Sequence, residues 1–234
     1  MNYILFSSHR KLIPQQKGTV QIDNTVIPQV TSAKFLAVYV DQHITWKDHI
    51  KQISLKIAKN IGIISRIAYI LPTNILLTLY YSLVYPYIAY CNMIWASNYT
   101  SRLHSTTVLL KRIVRIIMGL PHNSHTKQAF TQLGILKVEQ IKQLQISEFM
   151  HRYTYNTLPD VYVNYYNLAS DFHSYDTRSV TQYRREFART NSRKFSIKFT
   201  GPSLWNGLPH DLQCISSRTL FKKRLTVWIL GQND

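Results

Sequence analysis

Carboxylates are what this chain has least of. Its 234 residues hold 11 Asp and Glu against 28 Lys and Arg, and no two acids are adjacent. Two-metal enzymes converge several carboxylates on Mg²⁺, so a chain this poor in them is expected to hold a polyanion rather than cut or extend one. Cysteine is nearly missing as well. Cys91 and Cys214 stand far apart with no CxxC and no Cys/His cluster, which argues against a disulfide framework and a zinc knuckle and fits a reducing intracellular compartment, nucleus or cytoplasm. Seven glycines form no Gly-rich phosphate loop. The nine histidines include no HxxxH or HxH pair, His122 and His125 have no third ligand nearby, and there is no nucleophile elbow. No metal site or cofactor is therefore expected in this chain, while a hydrolytic arrangement of sequence-distant Ser, His, Asp or Cys stays open with no motif to mark it.

What is abundant is positive charge on an apolar frame. The net charge is +17 and 45% of residues are apolar, enough for a real core in one large domain or two smaller ones. Such a field draws phosphate backbones, and anionic lipid by the same physics. Residues 67–101 carry no charge, and 75–96 are mostly apolar, a length that raises a membrane span. Pro86, Asn92, Ser82, five tyrosines (Tyr80, Tyr81, Tyr85, Tyr87, Tyr90) and basic residues beyond both ends, Arg66 and Arg102, speak for the buried centre of a helical domain instead. The chain opens Met1-Asn2-Tyr3-Ile4-Leu5-Phe6, without the basic lead of a secretory signal, and reads as a strand cut from a longer protein.

The expected fold is α+β, mainly α, in three parts. Residues 1–44 read as short strands (3–6, 19–22, 25–27, 34–40) with a hairpin turn at Asp23-Asn24. Residues 45–158 read as helices. Thr45 and Asp48 resemble a capping box ahead of Ile50, Ile53, Ile57, Ile61 and Ile64, one face of a helix over 46–68. Further helices are expected over 74–96, from about Leu103 to Gly119-Leu120-Pro121, over 126–133 and over 138–156. Residues 159–234 are rich in Tyr and Arg. There Phe195, Ile197 and Phe199 alternate with polar residues as a strand, Gly201-Pro202 reads as a turn before a loop carrying Trp205 and Leu208, and 217–230 as a last basic helix.

Two basic constellations follow. The third helix carries Lys111, Arg112 and Arg115 with no acid between Arg102 and Met118, a face that can track phosphates or serve as an ordinary solvated surface. Lys47, Lys51 and Lys59 add cations on the first helix. Between 178 and 198 lie Arg178, Arg184, Arg185, Arg189, Arg193, Lys194 and Lys198 against the single Glu186, interleaved with Tyr183, Phe187, Phe195 and Phe199. Guanidinium beside aromatic rings suits nucleic acid, while the phenylalanine spacing is equally that of core packing.

Lys34-Phe35-Leu36-Ala37-Val38, followed by Asp41, Trp46 and His49-Ile50, resembles the segment after the catalytic aspartates in reverse transcriptases of non-LTR retrotransposons of the jockey, CR1 and L2 type. The likeness runs on through Leu71-Pro72, Leu79-Tyr80-Tyr81-Ser82-Leu83, Tyr85-Pro86-Tyr87, Tyr90, Asn92, Trp95, Lys111-Arg112 and Arg115-Ile116-Ile117. It reaches His173-Ser174-Tyr175, Thr177-Arg178, Gly201-Pro202-Ser203-Leu204-Trp205-Asn206, Leu208-Pro209 and Phe221-Lys222. The resemblance implies the end of a polymerase palm, a primer grip at Phe35, Leu36, Ala37 and Val38, a helical thumb, and a tail. It implies RNA and DNA as partners, held as a primer–template duplex, with the fingers, the metal-binding aspartates and Mg²⁺ belonging to the rest of the polymerase. This chain alone is then expected to be inactive. Ala37 departs from the family's usual Gly. A free-standing nucleic-acid-binding module shares these features, and a membrane protein is the third alternative.

Overall fold

The computed structural model describes residues 2–7, 20–171 and 182–232. Arg178, the segment His173-Ser174-Tyr175, Thr177 and the first residue of the 19–22 run, Thr19, lie outside them. The described chain is mainly helical with two small antiparallel hairpins. Asp23 and Asn24 both take left-handed angles, φ 47° and 61°, which short Asx side chains tolerate. They turn β1 (Gln21–Ile22) into β2 (Thr25–Val26).

Residues 34–40 are not one strand. β3 (Ser32–Phe35) and β4 (Val38–Asp41) pair from Ser32↔Asp41 to Phe35↔Val38, and the chain reverses at Leu36 and Ala37 with φ 45° and 65°. The turn hides in the sequence because neither residue is Gly, Asn or Asp. Residues 3–6 form no strand either, since Tyr3 makes only an isolated parallel bridge with Gln29.

α1 (Lys47–Ile67) starts without the full expected capping box: the Thr45 hydroxyl does accept an amide of the first turn, that of Lys47 at 3.4 Å, but Trp46 stands at the capping position and its side chain makes no cap bond. Trp46 enters the helix left-handed at φ 59°, which displaces Thr45 from the capping position. The Asp41 carboxylate organises the approach instead, accepting the amides of His43, Thr45 and Trp46 at 3.1, 2.9 and 2.7 Å. Ile50, Ile53, Ile57, Ile61 and Ile64 are all buried, as their spacing requires.

Residues 74–96 form three helices rather than one: α2 (Thr73–Leu83), α3 (Tyr85–Ala89) and α4 (Asn92–Trp95). Pro86 has no N–H for the preceding turn, and Cys91 turns left-handed at φ 50°. Gln145, on α7 (Val138–Thr154), splints the second break. Its Nε2 donates to Ala89 O at 2.7 Å while its Oε1 accepts the Met93 amide at 3.1 Å. α5 (Thr100–Met118) ends at Gly119, φ 65°, and α6 (Lys127–Leu133) follows.

The alternation at Phe195, Ile197 and Phe199 does not make a strand. α8 (Asn191–Lys194) leads to Ser196, which is the capping residue of α9 (Ile197–Asn206), and this helix runs straight through Gly201-Pro202 and carries Trp205. Gly201 marks the closest approach of α9 to its neighbours: a Cβ there would lie 2.7 Å from both Met150 Sδ and the Tyr166 hydroxyl. It is a contact glycine, not a turn glycine. α10 (His210–Gln213) and α11 (Arg218–Gly231) follow. Buried side chains from Ile50 to Ile229 form one core, with Trp95, Tyr80, Phe130 and Phe221 fully enclosed. α7 carries much of it, packing against both α9 and α11. No helix among the described residues is long and apolar enough to cross a membrane.

Candidate functional site

α1 and α5 lie side by side, joined at the surface by the Ser54 and Ser105 hydroxyls 3.2 Å apart. Helical repeat places Lys47 and Lys51 on the α1 flank of that seam, two turns and one turn before Ser54, and Arg102 and Arg112 on the α5 flank, one turn before and two after Ser105. All four are exposed, and α5 has no acid in its length. Lys59 is exposed further round α1, and Lys111 sits about 100° around α5 from Arg112. Arg115 is committed elsewhere: half-buried, it donates from Nε to Ser124 O at 2.9 Å and pins the loop before α6. The seam is thus cationic with acid only at Asp48, a surface to which phosphates are attracted over distances of about a Debye length.

A groove of ≈ 1210 Å³ opens beside the start of α1. One wall is the loop 42–46, the second the α4–α5 junction with Met93, Tyr99 and Arg102, the third the segment 189–197 with Arg189 and Phe195, and Phe149, Tyr162 and Tyr165 complete it. No Asp or Glu lines it among the described residues. Tyr99 meets Phe195 edge-on at 5.2 Å between centroids, accepts from Asn191 Nδ2 at 2.8 Å, and lies 5.6 Å beneath the Arg102 guanidinium. Arg102 also donates to Thr45 O at 3.0 Å, tying the first wall to the second. Ile44 and Trp46, both at the groove, hold left-handed angles of 51° and 59°. For a β-branched residue such an angle is a genuine outlier, and strain of this kind gathers at functional sites.

The cations of 184–198 split between two surroundings. Arg189 reaches the groove, while Arg184 and Arg193 line a smaller pocket of ≈ 250 Å³ with Tyr165, Tyr166, Glu186 and Lys198. There Glu186 accepts from Arg193 at 2.7 Å and from Lys198 at 3.0 Å, and these hydrogen bonds hold its carboxyl below the ordinary 4.5. Arg185 and Lys194 are exposed. Of the aromatic residues interleaved with them, Phe187 is 86% exposed, Phe195 lies in the groove, and Tyr183 is structural, its ring among Tyr153 and Tyr166 and its hydroxyl 3.0 Å from that of Thr154. Phe35, Leu36, Ala37 and Val38 form the β3–β4 tip, where Phe35 and Leu36 are 68% and 71% exposed and Tyr90 donates its hydroxyl to Leu36 O at 2.7 Å.

The groove residues Tyr99, Arg102 and Tyr165 carried no motif that would single them out, and Trp46 stood out only within the family resemblance. For Tyr99 and Arg102 the one sequence signal was the lack of acids from Ile67 to Arg102 together with the aromatic content of that stretch; Tyr165 had none. Among the described residues no group of three or more His, Cys, Asp or Glu converges to hold a metal ion. Set against known proteins, the chain matches no family model, no curated protein and no solved structure.

Proposed function

We propose that this chain is the gripping portion of a retrotransposon-type RNA-directed DNA polymerase, holding a primer–template duplex by its phosphates while the catalytic carboxylates and their Mg²⁺ belong to other parts of the polymerase. The observation that carries this reading is the acid-poor seam of α1 and α5, where Lys47, Lys51, Arg102 and Arg112 line one exposed surface. The bare apolar residues of the two hairpins (Val20, Ile22, Val26, Phe35 and Leu36) add support, since such a surface suits contact with more protein. No step of chemistry is assigned to the chain. Its contribution is orientation, in which cations fix the register of a duplex without reading its sequence.

The test is fluorescence anisotropy with an RNA–DNA duplex across a salt series. Wild-type affinity is expected to fall steeply with salt, and Lys51→Ala with Arg112→Ala to weaken binding and lower the slope by about 0.9 for each phosphate that is no longer neutralised. A slope unchanged in the double variant would overturn the assignment of the seam. A second reading, a free-standing nucleic-acid-binding module, is favoured by the core that runs through to Ile229 in one piece. A monodisperse, soluble monomer supports the module; self-association through the hairpins supports the severed grip.

A further inference from the structure

We infer that the groove between loop 42–46, the α4–α5 junction and segment 189–197 is a second nucleic-acid site, one that takes a single strand rather than a duplex. Single-strand binding rests on the nucleic-acid reading above; the groove shares only Arg102 with the α1–α5 seam, and the variants below leave that residue untouched. At ≈ 1210 Å³ the groove exceeds the roughly 300–1,000 Å³ of pockets for small ligands, and it is an open cleft rather than an enclosed cavity. Its lining alternates ring faces with cations and amides and holds no carboxylate among the described residues, so a polyanion meets no like charge there. Trp46, Tyr99 and Phe195 bring aromatic rings to the lining, and Arg102 and Arg189 line the same cleft, the pairing of rings with cations that suits a single strand. Bases in a duplex are stacked on each other and cannot reach such rings, whereas unpaired bases can.

The loop geometry points the same way. Ile44 leaves an aliphatic side chain 53% exposed on a left-handed backbone at the groove, a costly arrangement for folding alone. The Asp41 carboxylate holds that loop fixed through three amides, so the rim is formed before any strand arrives.

The experiment compares the full chain binding a fluorescein-labelled oligouridylate of about ten nucleotides with its binding of an RNA–DNA duplex of equal length, at one salt concentration. Tyr99→Ala and Arg189→Ala are each expected to weaken oligouridylate binding about tenfold while duplex affinity stays within about twofold. Lys51→Ala with Arg112→Ala is expected to do the reverse. In the unlabelled wild type, oligouridylate is expected to quench part of the tryptophan fluorescence, and Trp46→Phe to abolish that quench, a readout that survives if an alanine variant fails to fold. Oligouridylate affinity and quench untouched by the groove variants would overturn the groove while leaving the seam intact. Equal loss of both nucleic acids in the groove variants would make it part of a duplex site and overturn single-strand selectivity. No binding of either nucleic acid by wild type would remove the nucleic-acid reading and the groove together.

Discussion

Ala37 occupies a backbone position that favours glycine, φ 65°, at the tip of the β3–β4 hairpin. Removing its Cβ relieves the left-handed strain but loosens the unfolded chain, and the first effect is the larger. Ala37→Gly is therefore expected to stabilise the protein by about 0.5–1 kcal/mol, read from the urea midpoint. Gly201 is the opposite case. A methyl group there has to push aside Met150 and the Tyr166 hydroxyl, which is itself held by Ile197 O at 2.9 Å, so Gly201→Ala is expected to cost about 1–3 kcal/mol in the same assay. His49 supplies a pH dependence. It is 2% exposed, its Nδ1 accepts the Tyr39 amide at 3.4 Å, and burial first, then Lys56, hold its pKa below the ordinary 6.5. Below that pH the unfolded chain binds the proton that the folded chain resists. The contribution is complete above 6.5 and is lost as pH falls from there through the folded value. The urea midpoint is expected to drop between about pH 7.5 and pH 5, and His49→Asn, an acceptor that does not titrate, to shrink the drop; an undiminished drop rules His49 out as its source.

At the scale of elements, α1, α5, α6, α7 and α11 were legible because each buries a periodic apolar stripe or stops at a glycine such as Gly119 or Gly134. The three-way division of residues 74–96 was not, because part of its cause is tertiary. Pro86 is visible in the sequence, but the left-handed turn at Cys91 is supported from α7 by Gln145. Gln145→Leu leaves Ala89 O and the Met93 amide without their partner and is expected to cost about 1–3 kcal/mol, with the loss appearing as faster hydrogen exchange at Met93. Segment 195–199 misled for a related reason: five residues of alternation fit a strand, whereas Phe195 and Ser196 cap two helices and 197–199 open α9, which packs by Gly201 against Met150 and Tyr166. Of the candidate site, the charge was legible and the groove was not. Lys51 and Arg112 announce themselves by composition, whereas Trp46, Tyr99 and Phe195 acquire a common purpose only when the chain has folded.

At the scale of the whole molecule, bonds cross the boundary expected near residue 158. Gln140 Nε2 donates to Ile229 O at 3.1 Å, the Tyr155 hydroxyl to Gln213 O at 3.0 Å, and His151 Nε2 lies 2.7 Å from Ile215 O. Glu148, nearly enclosed, accepts from Arg218 Nε at 2.7 Å and faces Lys222 at 3.5 Å. A chain ending at residue 158 keeps α7 but loses the partners of its apolar and carboxylate surfaces. It is expected to bind hydrophobic dyes and melt without a cooperative transition, and a sharp melt from that fragment would show that the helical part stands alone.

The groove takes its walls from residues 42–46, 93–102 and 189–197, so it exists only in the native chain and vanishes on unfolding. By mass action, whatever seats there draws the folding equilibrium toward the native state, by about 2.7 kcal/mol when the ligand stands at a hundred times its dissociation constant. The protein's own melting temperature is thereby a detector: a panel of nucleotides, oligonucleotides and unrelated anions can be ranked by thermal shift with no label and no assumed chemistry.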